Sequence, residues 1–65
     1  MKKPNILQYF AYQQLPPQLQ VVSKPFGELA NKMVEELPEN EESHMALRKL
    51  LESKDCAVRA MAYKS

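Results

Sequence analysis

Apolar residues recur at helical spacing along almost the whole chain. Ile6, Leu7, Phe10 and Ala11 share one side of a short run, Asn5 is placed to cap it, and Leu15-Pro16-Pro17 closes it. This predicts a lead-in helix over 6–14. Pro17 is a good first helical residue. Leu19, Val22, Phe26, Leu29, Met33 and Leu37 follow at spacings of 3, 4, 3, 4 and 4. The register passes through Pro25 without a break, so one long helix over 17–37, kinked at Pro25, is expected, with Pro38 as its stop.

A third helix is expected over 40–63. Asn40 is its cap, Glu41 and Glu42 suit its positive end, and Lys64 complements its negative end. At about 100° per residue, Ala60, Ser53, Ala46, Ala57, Leu50, Met61, Leu47, Val58 and Leu51 fill an arc of roughly 180°. Lys54 falls in the middle of that arc. The arc is wider than one partner helix covers. Either the other two helices of the chain sandwich it, or another copy shares it. The second is favoured because the core is otherwise too small. A lysine at Lys54 can snorkel, pair with a glutamate across an interface, or face an anionic ligand at a symmetry axis.

The expected fold is all-α: one domain over 1–65, with a short N-terminal helix packed on an antiparallel helical hairpin. Glycine occurs once, as Gly27, and no Asn-Gly turn is present, so β structure has little support. At 65 residues the chain buries only a modest core, and such chains usually need a staple. Cys56 is the single cysteine, which excludes an intrachain disulfide, and His44 is the single histidine, so a His/Cys metal cluster would have to draw on carboxylates. Self-association is the staple that remains.

Nine basic and eight acidic residues give a net charge of +1, without the basic field that drives binding to DNA. No apolar run approaches the ~20 residues of a membrane span. The basic start followed by "ILQYFAYQQL" makes a poor signal peptide. One free thiol fits a reducing cytoplasm. His44 lies beside Ser43 in sequence and about three turns from Cys56, which gives no nucleophile–base arrangement. A single glycine leaves no phosphate-cradling loop. An enzyme is not expected, and neither is a cofactor. Glu41, Glu42 and His44 read as a solvated helix start rather than as metal ligands.

The stretch "YFAYQQLPPQLQVVSKPF", residues 9–26, carries the candidate chemistry. Tyr9, Phe10, Tyr12 and Phe26 offer π faces and Lys24 one mobile charge. A break at Pro25 would free the N–H groups of residues 26–28, which together with Lys24 would make a phosphate site. Aromatic faces beside a phosphate site describe a nucleotide receptor, with stacking worth about 1–3 kcal/mol per base. The same aromatics also read as core that pins the first helix to the hairpin. A two-fold pair of chains would offer two tyrosines and two lysines to a ligand with two bases and two phosphates.

"ELANKMVEELPENEESHMALRKLLESKDCAVRAMA", residues 28–62, resembles the helical-hairpin domain (Acb/Tad) of the phage anti-defence proteins called anti-CBASS type two cyclic-nucleotide sponges. The matching positions are Glu28-Leu29-Ala30, Pro38, Ala46-Leu47, Lys49-Leu50 and Glu52-Ser53. "FAYQQLPPQLQ" is similar to the family's aromatic-proline lead-in. The resemblance implies a non-catalytic homohexamer in the host bacterial cytoplasm. Such a protein sequesters cyclic dinucleotides such as 3′,3′-cGAMP, and cyclic trinucleotides, from CBASS effectors. It implies that Tyr12, or Tyr9, stacks on bases and that Lys24 meets phosphate. It further implies a trinucleotide pocket with basic side chains at a three-fold axis, for which Arg48, Lys49, Lys54 and Arg59 are candidates. The tryptophan and asparagine common late in the family's last helix are absent, and Cys56 and Arg59 lie in that region. The rival reading is a small helical module that uses the broad arc of the third helix to bind and inhibit a host protein.

Overall fold

The computed structural model describes residues 1–63. A 3₁₀ helix, Asn5–Phe10, leads into two α-helices, α1 (Pro17–Glu36) and α2 (Glu41–Ala62). The two long helices pack against each other as a hairpin, and the 3₁₀ helix touches both. Twenty and 22 residues give helices about 30 Å long, in keeping with a molecule measuring 41 × 18 × 16 Å.

The hairpin ends are built from local chemistry. Pro17 opens α1 at a position where its missing N–H costs nothing. Leu37 N donates to Met33 O at 2.8 Å as α1 closes. Residue 38 is proline and has no N–H to offer Val34 O; the Met1 amino group donates to that carbonyl instead, at 2.6 Å. Asn40 caps α2 as expected. Its side chain accepts from Ser43 N at 2.9 Å, and Ser43 Oγ in return accepts from Asn40 N at 3.0 Å. The expected contribution of Lys64 lies outside the described residues.

The lead-in departs from expectation. It is a 3₁₀ helix of six residues, not a helix over 6–14, and Asn5 is its first residue rather than its cap. The chain extends at Ala11 (φ −61°, ψ 138°) and turns back through Tyr12–Leu15, where Leu15 N donates to Tyr12 O. The prolines fix the extended entry into α1. Leu15 and Pro16 each precede a proline and are pushed away from helical geometry. Gln20 Nε2 then ties the turn to α1 through Gln13 O (3.2 Å) and Leu15 O (2.7 Å).

Helix α1 runs uninterrupted through Pro25. The carbonyl that loses its donor there belongs to Val21, an exposed residue, where water can replace it. The seam of α1, however, is not the bulky stripe of the sequence pattern. Its buried residues are Ser23, Gly27, Ala30 and Val34, each one position beyond Val22, Phe26, Leu29 and Met33. The bulky stripe lies about 100° to one side. Val22, Phe26 and Met33 are half-buried there and Leu29 is exposed. Small residues win the centre because α1 must meet both α2 and the lead-in, and only a low ridge lets two neighbours approach at once.

Among the described residues the apolar core is Phe10, Ala30, Val34 and Leu47, with Ile6, Leu7, Phe26, Leu50 and Leu51 among those packed around it. Ser23 sits at this seam with its hydroxyl buried and without a hydrogen-bond partner. An unsatisfied buried hydroxyl is costly, and serine is a weaker helix former than alanine. Ser23→Ala should therefore stabilise the protein by about 1 kcal/mol, read as a higher midpoint in urea. A lower midpoint would mean that the hydroxyl has a bonded partner in solution.

Candidate functional site

The candidate site forms where the lead-in crosses α1. The 3₁₀ helix places Phe10 in the core and brings its carbonyl oxygen down onto Gly27. A Cβ at Gly27 would stand 3.1 Å from Phe10 O and 3.4 Å from Cδ1 and Cε1 of the Tyr12 ring. The ring of Tyr12 thus lies over the one helical position that has no side chain. Its neighbour Tyr9 is 59% exposed.

Lys24 and Asn31 flank this seat at i−3 and i+4 from Gly27, spacings that put them on the same face of the helix. Lys24 is exposed and makes no ion pair among the described residues. Asn31 Nδ2 donates to Gly27 O at 2.9 Å and so is partly committed to the backbone. Tyr12, half-buried, lies over this turn of α1, and the exposed Lys24 belongs to the same turn; Tyr9 is exposed on the lead-in. The break at Pro25 does not form, so the free N–H groups of residues 26–28 that would have joined Lys24 are not part of this site. Phe26 is half-buried against the core.

The four basic residues considered for a second pocket are spread along α2. Arg48 and Arg59 are separated by about 16 Å of helix axis, so one chain does not gather the set. Lys54 is largely covered, its side chain only 12% exposed, and its Nζ lies 3.0 Å from Asp55 Oδ1. Within the chain its pairing partner is the adjacent aspartate of its own helix. Arg59 Nη2 donates to Sγ of the exposed Cys56 at 3.3 Å. Lys49 projects from the exposed side of α2. Among the described residues no group of three or more His, Cys, Asp or Glu is placed to hold a metal ion, and no helix is long and apolar enough to cross a membrane.

The sequence reading passed over Gly27 as a site residue. The signal was present: a lone glycine in the middle of a 20-residue helix costs about 1 kcal/mol relative to alanine, a cost that points to close approach by a neighbour. It also passed over Lys2 and Lys3, which share a cleft with Arg48 at the loop end of the hairpin.

Comparison of the chain with protein-family models finds no match, and comparisons with curated proteins and with solved structures find none either.

Proposed function

We propose that this chain is a non-catalytic, self-associating receptor that sequesters cyclic di- and trinucleotide second messengers. On this reading it is a phage anti-defence protein of the anti-CBASS type two sponge family. It acts in the host bacterial cytoplasm and assembles as a homohexamer. The observation that carries the reading is Tyr12 seated on Gly27 with Lys24 one turn away. An aromatic face and a cation on one turn of a helix suit a base and its neighbouring phosphate. One chain supplies a single open-sided grip, and a second copy would close it around a ligand with two bases and two phosphates.

The packing supports self-association. The core is small, and Val22, Phe26 and Met33 on α1 with Leu50, Ala57 and Met61 on α2 stay only partly covered. Val21 and Leu29 add exposed apolar surface. These same residues favour the second reading, a module that binds and inhibits a host protein.

Isothermal titration with 3′,3′-cGAMP separates the two. The sponge should bind it, and Tyr12→Ala and Lys24→Ala should each weaken binding about tenfold or more, as loss of one stacked base or one charged hydrogen bond does. Ligand released by heat should be chemically unchanged. No heat with any cyclic di- or trinucleotide, together with a monomer that captures one stoichiometric host protein, would select the second reading.

A further inference from the structure

A second cluster of positive charge stands apart from the Tyr12 seat. A cleft of about 740 Å³ opens at the loop end of the hairpin, at the opposite end of the lead-in from Tyr12. Lys2 and Lys3 enter it from the N-terminal strand of chain, and Arg48 from the second turn of α2. These segments meet because the Met1 amino group is fastened to Val34 O, which draws the start of the chain across the hairpin end. The walls between the cations include the apolar side chains of Pro4, Ile6 and Met45.

Two carboxylates share the cleft, and their positions decide its character. Glu39 faces His44, with Oε2 3.5 Å from Nε2. Glu41 occupies the first turn of α2, where the helix N-terminus already favours a negative charge. Lys2, Lys3 and Arg48 enter no ion pair among the described residues. Three cations that make no ion pair among the described residues, set around an apolar wall in a cleft that also holds Glu39 and Glu41, fit a ligand with a doubly charged head and an apolar body.

We infer that this cleft binds a phosphomonoester carried on a planar body, of the nucleoside monophosphate class. Arg48 grips the phosphate through its planar guanidinium fork. Lys2 and Lys3 neutralise the remaining charge, and the base lies against Ile6 and Met45. The cleft shares no residue with the Tyr12–Gly27–Lys24 site, although Arg48 is also among the residues considered for a trinucleotide pocket.

The test is a titration of the ¹⁵N-labelled full chain with AMP, followed by amide shifts in the absence of any cyclic nucleotide. Saturable shifts should appear at Lys2, Lys3 and the His44–Arg48 turn. Adenosine, which lacks the phosphate, should bind about tenfold more weakly or worse, and Arg48→Gln should weaken AMP by about tenfold. Arg48 is exposed, so the variant should keep the parent's far-UV spectrum; the double variant K2Q/K3Q, likewise at exposed positions, gives a second test of the same loss. No saturable shift with AMP up to about 10 mM, equal binding of adenosine, or AMP binding unchanged in both variants would each overturn the inference.

Discussion

Replacing Leu47 by alanine should strongly destabilise the chain. Leu47 is fully buried and joins Ala30, Val34 and Phe10 in the core. Leu→Ala at such a site costs about 2–5 kcal/mol, through lost transfer energy and the cavity left behind. A domain of this length has a total stability of roughly 3–10 kcal/mol, at 0.05–0.15 kcal/mol per residue. Two of Leu47's three core neighbours, Ala30 and Val34, are small and offer little side chain to collapse into the void. Circular dichroism should show the melting temperature falling by at least about 10 °C, since 1 kcal/mol shifts a domain of this size by about 4–8 °C. A shift of only a degree or two would mean that the hydrophobic centre lies elsewhere, as it would if subunit contacts carried most of the stability.

Replacing Gly27 by leucine should detach the lead-in while leaving the hairpin helical. The first added carbon would already stand 3.1 Å from the backbone oxygen of Phe10 and 3.4 Å from the Tyr12 ring, and three further carbons have no room beneath the ring. The lead-in is held by a small contact area and yields before the α1–α2 seam does. Removing Phe10 from the core costs about 3–5 kcal/mol if truncation to alanine is the guide, and Tyr12 loses its seat. Hydrogen exchange should show protection lost over residues 5–15 and retained in the centres of α1 and α2, with cyclic-dinucleotide affinity reduced more than tenfold. Gly27→Ala should be far milder, because a gain in helix propensity of about 1 kcal/mol offsets the tight contact. Undiminished protection of the lead-in in the leucine variant would show that Tyr12 does not rest on Gly27 in solution.

Helices α1 and α2 were legible to within a residue or two, because the signals that end them are local and strong: Pro17, Pro38 and Asn40. The buried side of α2 was legible in part from its wide apolar arc: Leu47 lies in it and is buried, while Ser53 and Ala60 at its small-residue edge are exposed. The seam of α1 was not. A pattern of large apolar residues marks where a helix can gain by burial, whereas the Ser23, Gly27, Ala30 and Val34 seam is selected by how closely two neighbours must approach. That is a tertiary constraint with no period of its own. The lead-in failed for a related reason. Ile6, Leu7, Phe10 and Ala11 suit an α-helix, but the chain must turn back before Pro16, and a tighter six-residue 3₁₀ helix leaves room for the turn. At the candidate site, residue type alone offered Tyr9, Phe10, Tyr12 and Phe26 beside Lys24 and did not choose among the aromatics; Tyr12 was singled out by the resemblance. The common platform of Tyr12 and Lys24 at Gly27 was not legible, because it depends on a crossing between segments 15 residues apart in sequence.

The central claim is that copies of this chain associate and grip a cyclic nucleotide between them. Native mass spectrometry of the purified protein with 3′,3′-cGAMP tests it in a single spectrum. The account predicts an assembly of six chains of 7.5 kDa each, carrying intact cyclic dinucleotide, with the ligand lost in Tyr12→Ala. A lone 7.5 kDa chain with no ligand attached at saturating concentration would contradict it.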